Sequence, residues 1–335
     1  MKIYVEMPKG KTTDTFLTEE NIALLESLGE VTWNETEEHL TPEQFRDVLA
    51  DKDACVCGWG VPKFDETVLE KADKLKFIAY TAGSVANLVT DAMYEKGIRI
   101  SCGNDGFAES VAEGTVAHIL ASLRRLKEYD ARKTNTPWWD PNDFQPERLI
   151  EQTVGIVGYG AIAANVLKML KPFRVKVKLY SRHTTEEKAA ELGVQKASLE
   201  EIFSTCKIVS LHCAQTPETF HMVDDRLLSM MMPGALLVNT SRGSVIDEAA
   251  MAKHVMDGHI RVSLDVYERE PIQPDSPLRQ LDESLIMQPH LGGPTLDYRP
   301  VAARYAIEDL MRWQRGEALL HEVTAARSKT MSRKK

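Results

Sequence analysis

Cysteine is scarce in this chain. The five present (Cys55, Cys57, Cys102, Cys206 and Cys213) are odd in number and form no CxxC pair. That excludes a disulfide scaffold and implies buried thiols in a reducing cytoplasm. The histidines stand at no ligand spacing to those cysteines, so no metal site is expected. No apolar run reaches the roughly 18 residues of a membrane span. The strand-like Met1-Lys2-Ile3-Tyr4-Val5 start has no signal peptide before it, so no membrane partner is expected. Positive charge is in deficit: a net charge of −9 and a pI near 5.6 argue against a nucleic-acid partner. The one basic stretch, residues 327–335, is short, and 331–335 reads as a flexible basic tail. Neither internal repeats nor low-complexity segments occur. What remains is the composition of a soluble globular protein, and 335 residues exceed one ordinary core, so two domains are expected.

The first hundred residues alternate strand and helix patterns. Strands are expected over 2–6, 31–33, 54–57, 77–80 and 98–102, with helices over 18–28, 41–49, 65–71 and 85–96. Thr41-Pro42-Glu43-Gln44 reads as an N-cap with proline at the first helical position. Repeated βα units imply a parallel, doubly wound sheet. The turn Thr81-Ala82-Gly83-Ser84 follows a strand's C-terminal end, where such sheets bind ligands. Its N–H groups, at the start of the next helix, could hold a carboxylate; a plain loop fits the residues equally. Asn104-Asp105-Gly106 marks a boundary, followed by a helix over 108–125 with Val111, Thr115, Ile119 and Leu123 on one face. A polar arm over 134–148 carries Trp138-Trp139 between prolines, which suggests an oligomer contact or a pocket lid, with packing onto its own domain as the alternative.

A second α/β unit begins at Thr153. The apolar run Val154 to Val157 breaks into Gly158-Tyr159-Gly160-Ala161-Ile162-Ala163 and continues with helical spacing. Strand, glycine turn and helix start are what a dinucleotide pyrophosphate needs. Gly158 permits the turn and Gly160 the close approach, while Ala161 and Ile162 can donate N–H groups to the anion. Ala163 stands at the third glycine, where only a small residue is required. An NAD site has an acid about 20 residues after the first glycine to bind the ribose hydroxyl. Here the next strand, 175–180, runs into Ser181, Arg182 and His183. Arg182 would pair with a 2′-phosphate that a carboxylate would repel, so NADP is expected in preference to NAD.

Further strands are expected over 208–211, 235–239, 262–266 and 285–287, six in all, and a last helix over 297–315 returns to the first domain. Three segments follow strands on one sheet edge: Asn239-Thr240-Ser241-Arg242-Gly243, Asp265 to Pro271, and Gln288-Pro289-His290-Leu291-Gly292-Gly293. They place an arginine, carboxylates and a histidine around one crevice.

Taken in order, the Gly158 fingerprint, Leu211-His212 with Thr216-Pro217-Glu218-Thr219, and these three segments resemble the D-isomer-specific 2-hydroxyacid dehydrogenases. The resemblance implies a flavodoxin-like substrate domain (1–103 plus 295–330) and a Rossmann dinucleotide-binding domain (104–294), both doubly wound parallel α/β sheets. It implies Arg242, Glu270 and His290 as the catalytic trio, with Glu268 a second-ranked rival for the glutamate. Substrate contacts would come from Arg242 and from Ala82, Gly83 and Ser84. Cofactor contacts would include Thr115, Thr240, Ser241, Asp265 (to the nicotinamide carboxamide), His290, Gly292 and Gly293. The chemistry is consistent with this. Reduction of a 2-oxo acid needs a hydride at C2, a proton for the oxygen and a cation for the carboxylate. His290 beside Glu270 suits the proton, and Arg242 the carboxylate. Ala214, Arg174, Ala163 and Ser181 depart from the family pattern, which implies a divergent member. The expected protein is an NADP- or NAD-dependent enzyme on a small 2-oxo or 2-hydroxy acid, and a homodimer. An NAD(P)H-sensing corepressor on the same fold is the alternative. Formate dehydrogenase, a third, expects glutamine where Glu270 stands.

Overall fold

The computed structural model describes residues 1–132 and 145–331. Trp138-Trp139 and the tail beyond Met331 lie outside them. The chain divides into two compact units, Met1–Ser110 with Pro294–Lys335, and Val111–Gly293. The division falls inside the helix Asn104–Leu123, whose first residues are Asn104-Asp105-Gly106.

The first unit is built on strands β1 (Lys2–Val5), β2 (Glu30–Trp33), β3 (Ala54–Cys57), β4 (Phe77–Tyr80) and β5 (Arg99–Cys102). They pair in parallel in the order β2-β1-β3-β4-β5, the flavodoxin-like winding. Alternation along β3 shows how the sheet is filled. Ala54 and Val56 face the helices Glu19–Leu28 and Arg299–Gln314, whereas Cys55 and Cys57 face the helix Pro42–Leu49. The cysteines act there as small buried hydrophobes. Thr41 caps Pro42–Leu49 with a reciprocal Gln44 contact, a capping box. The helix expected over 85–96 is shorter, Asp91–Glu95. Val85 and Leu88 are buried in a turn instead, and the helix begins only where Thr90 Oγ1 accepts the Met93 N–H (3.1 Å). The Ala82-Gly83-Ser84 turn therefore has no helix N-terminus behind it; Ser84 Oγ accepts the Ala86 N–H.

The second unit carries β6 (Thr153–Val157), β7 (Lys176–Tyr180), β8 (Gln195–Lys196), β9 (Ile208–Leu211), β10 (Ala235–Asn239), β11 (Ile260–Leu264) and β12 (Ile286–Met287). All are parallel, in the order β12-β11-β10-β9-β6-β7-β8, a Rossmann sheet with one added strand. Seven strands stand where six were expected; β8 is a short polar edge. Both faces of the central strands are covered, with Leu236 and Val238 on one side and Ala235 and Leu237 on the other. Arg174, before β7, has a left-handed φ of 52°, which is why glycine is the easier residue there.

The C-terminal segment is closed onto the first unit by Asp309. Its buried carboxylate accepts from Ser101 Oγ (2.7 Å), Arg312 Nη1 (2.9 Å) and the N–H groups of Leu320 (3.0 Å) and His321 (2.7 Å). Burial pushes this carboxyl up, but the four donors outweigh it and hold the group below the usual carboxylate range. A folded-state pKa below the unfolded value stabilises fully above the unfolded value, and the contribution fades as pH falls through the folded one. Asp309→Asn is expected to lower the unfolding free energy by about 2–3 kcal/mol at neutral pH. Urea titrations of both proteins check this: the gap should narrow steadily below about pH 4, and a pH-independent gap would refute the assignment.

Candidate active site

The strand order of the second sheet reverses at β6, and the glycine turn stands at that point. Gly158 has a φ of 95°, and its N–H donates to Tyr180 O (2.8 Å) at the end of β7. A Cβ on Gly158 would lie 2.7 Å from His212 O, so only glycine lets the turn pass the end of β9. Gly160 is extended and begins the ten-residue helix Ala161–Leu170, with no side chain capping that end and no acid in its first turn. A Cβ there would meet nothing within 4 Å. Free N–H groups, absent negative charge and open space together fit a dinucleotide pyrophosphate. Ala163 is fully buried, as its packing role requires. Beside the turn, Ser181 Oγ accepts the His183 N–H (3.3 Å), while Arg182 and His183 are exposed. Burial pushes the Cys213 thiol up to about 11 against a pull from Arg182, and Glu218 is held below the usual carboxylate range by Thr216 first and by Arg182 in smaller part.

Arg242, Glu270 and His290 come together at the other half of the same edge. After β10, Asn239 Oδ1 accepts the Ser241 N–H (3.0 Å) and hydroxyl (2.8 Å), turning the chain sharply into Arg242. Gly243 then meets the loop after β11 so closely that a Cβ would lie 1.8 Å from the Tyr267 carbonyl carbon. This contact holds the arginine loop against the glutamate loop. Glu270 Oε1 accepts the Tyr267 N–H (3.1 Å), and Oε2 accepts from His290 Nδ1 (2.6 Å). Arg242 Nη1 donates to Ser241 O (2.6 Å), but its Nε is buried without a partner among the described residues. Burial lowers the guanidinium's pKa, and Glu270 opposes that. The peptide bond Glu270-Pro271 is cis.

Asp265 fixes the histidine loop. Its buried carboxylate accepts the N–H groups of Leu291 (2.7 Å) and Gly292 (2.8 Å), and its carbonyl accepts that of His290 (2.8 Å). His290 is thereby held at a left-handed φ of 56°. Burial raises the Asp265 carboxyl, while the Gly292 and Leu291 amides pull it back.

Other expected residues are engaged within the protein. Thr115 is fully buried and shares a 2.7 Å hydrogen bond with Thr240, and it also donates to Val111 O (2.8 Å). Ser241 is committed to Asn239. A Cβ on Gly293 would meet nothing within 4 Å. Ala82, Gly83 and Ser84 follow β4 on the C-terminal edge of the first unit's sheet.

Three further histidines of the second unit make contacts that the sequence did not predict. His118, on the helix Asn104–Leu123, bridges Ser263 Oγ (2.7 Å) and Gln288 Oε1 (3.2 Å). His212 has a buried ring; burial lowers its pKa to about 4, and Nε2 meets Ser210 Oγ (3.0 Å). His221 meets Glu268 Oε2 (3.2 Å), so the rival glutamate has its own histidine. Glu248 accepts the Glu268 N–H (2.5 Å), and burial raises its carboxyl. The i, i+3 spacing of Thr115 and His118 was a signal for a polar contact on that helix face; the pairing of His221 had none.

Residues 116–292 match the profile of the D-isomer specific 2-hydroxyacid dehydrogenase, NAD binding domain. The D-3-phosphoglycerate dehydrogenase of Methanocaldococcus jannaschii is 34% identical over 313 residues, covering 93% of this chain; the chain spans only 58% of that relative's length. The glyoxylate reductase of Korarchaeum cryptofilum is 34% identical over 257 residues, covering 76% of this chain and 77% of that one. Among solved structures, the TT0316 protein of Thermus thermophilus superposes with a TM-score of 0.76 at 28% identity, over 97% of this chain and 100% of that one.

The Asp265 clamp generates a prediction that needs no turnover. Asp265→Ala leaves the Leu291 and Gly292 amides without their acceptor, and should cost about 2–4 kcal/mol in stability. Hydrogen exchange at those two amides should accelerate far more than at the β10 amides; uniform acceleration would argue against a local clamp.

Proposed function

The chain belongs to the D-isomer-specific 2-hydroxyacid dehydrogenase family, and from that premise we propose that it reduces a small 2-oxo acid to the D-2-hydroxy acid. The observation that carries this reading is the 2.6 Å contact of His290 Nδ1 with Glu270. With Nδ1–H donating to the carboxylate, Nε2 carries the transferable proton and presents it to the developing alkoxide. Glu270 holds the ring's tautomer and orientation, and is itself oriented by the Tyr267 N–H. Arg242 takes the substrate carboxylate, a role supported by its buried Nε, which has no acceptor among the described residues. Ala82, Gly83 and Ser84, in the first unit, would offer backbone donors to a substrate carboxylate, and Asp265 would meet the nicotinamide carboxamide. When bound, a nicotinamide dinucleotide supplies the hydride. Gly158, Gly160, Ala161 and Ile162 would cradle its pyrophosphate, and Thr240, Ser241, Gly292 and Gly293 would line the remainder, with the buried Thr115 behind Thr240.

NADPH is the preferred donor in this reading. Ser181 stands where an acid would repel a 2′-phosphate, and the exposed Arg182 and His183 offer it donors. The glyoxylate and phosphoglycerate relatives put glyoxylate, hydroxypyruvate and its 3-phosphate first among substrates to try. A cytoplasmic homodimer accords with the family and with five cysteines free of disulfides.

The test is nicotinamide absorbance with glyoxylate, hydroxypyruvate, 3-phosphohydroxypyruvate, 2-oxoglutarate, pyruvate and phenylpyruvate, each with NADPH and with NADH. Oxidation that is faster with NADPH is expected. Cofactor binding without turnover of any substrate in the panel would count against the enzyme reading. His290→Ala should lower kcat by about 10²–10⁴-fold while cofactor affinity changes little; an active variant would remove His290 as the proton donor. Arg182→Ala should raise the NADPH KM by about tenfold or more and leave that of NADH nearly unchanged. Equal effects on both would end the 2′-phosphate assignment.

A further inference from the structure

Aromatic rings surround a cation on the C-terminal edge of the first unit's sheet. Trp59, just after β3, stands edge-on to Phe16 (ring centroids 5.1 Å apart) and to Phe107 (5.8 Å). Phe16 and Phe107 are stacked. The Arg299 guanidinium lies 5.3 Å from the Trp59 ring centroid and 5.5 Å from that of Phe16. One of its donors, Nη1, is used by Thr15 Oγ1 (3.1 Å). Its Nε is buried and meets no acceptor among the described residues. An arginine that served only to start its helix would have no need of this setting. Rings stabilise a guanidinium through its faces, and the unpartnered Nε is a donor that an anion would satisfy.

The same cluster adjoins the Ala82-Gly83-Ser84 turn inside one unit. A Cβ on Gly83 would lie 3.5 Å from Phe107 Cδ1, so the turn and the Arg299 cage lie against one ring. We propose that Arg299, held by Trp59 and Phe16, forms a second anion subsite, taking a carboxylate or phosphate at the far end of the 2-oxo acid whose first carboxylate the turn receives. The preferred substrates are therefore doubly charged 2-oxo acids. The identity of the ligand rests on the dehydrogenase reading; the anion site rests on Arg299 and its rings. Trp59, 43% exposed, is the wall of the subsite that borders solvent.

Matched substrates test it in the full-length enzyme. 2-Oxoglutarate is compared with 2-oxovalerate for a carboxylate, and 3-phosphohydroxypyruvate with hydroxypyruvate for a phosphate. The charged member of at least one pair should have the higher kcat/KM by about tenfold, and the pair that shows it identifies the anion. In Arg299→Gln that advantage should fall by about tenfold, mainly through KM, and Arg299→Lys should restore part of it. No advantage in either pair for the wild-type enzyme overturns the proposal without any variant, and so does an advantage that Arg299→Gln leaves intact. Calorimetric titration of 2-oxoglutarate and 3-phosphohydroxypyruvate, with oxidised cofactor present, separates the two readings. Arg299-dependent binding without turnover of any 2-oxo acid upholds the anion site and defeats the dehydrogenase reading. Turnover of glyoxylate with titrations that do not depend on Arg299 does the reverse.

Discussion

The Asp265 carboxylate, 1% exposed at the end of β11, accepts the amides of Leu291 and Gly292, and the position of His290 follows from that contact. A buried carboxylate without partners costs several kcal/mol. Two hydrogen bonds to it offset about 1.5–3 kcal/mol each. A left-handed residue such as His290 costs about 1–2 kcal/mol. The clamp outweighs the strain, so the histidine loop cannot relax without exposing a charge to an apolar interior. Gln288 adds a second anchor, through His118 and through its carbonyl to the Tyr267 hydroxyl (2.8 Å). The loop is thus tied to the sheet on both sides of the residue that carries the proposed chemistry.

Glu270 must reach that histidine from another loop, and backbone contact brings it there. Gly243 lies against the Tyr267–Glu268 peptide with no room for a methyl group. Any side chain at that position would push the arginine loop away from the glutamate loop. Arg242 and Glu270 therefore share one local field, in which the carboxylate opposes the effect of burial on the guanidinium. Charges of alternating sign along one edge are what an incoming carboxylate and a developing oxyanion require.

Much of this was legible in the residues because central parallel strands are buried on both faces. Ala235–Asn239 is buried throughout, and such runs announce themselves as unbroken apolar segments. The edge strand β8, Gln195–Lys196, is exposed and polar, so no alternation marks it. The helix expected over 85–96 failed differently. Val85 and Leu88 have helical spacing, but a buried turn satisfies their burial equally well, and the Thr90 cap begins the helix late. Contacts between distant residues leave no local trace. His118 with Ser263 and Gln288, and His221 with Glu268, pair elements far apart in the chain. Glu268 and Glu270 are alike by composition. Only the fold reveals that each faces a different histidine.

Those histidines divide along a physical line. The His212 ring is enclosed, and desolvation without a nearby carboxylate drives its pKa to about 4, so it stays neutral at ordinary pH. A ring in that state can help shape the turn beside Gly158, but it cannot deliver a proton near neutrality. His290 has a carboxylate at 2.6 Å, and its side chain is 35% exposed. A ring placed so has a counter-charge on one nitrogen and is partly open to its surroundings. Two imidazoles on one sheet edge thus acquire different capacities from burial and partner alone. That difference, more than the presence of a histidine, is the physical reason to propose residue 290 as the proton donor.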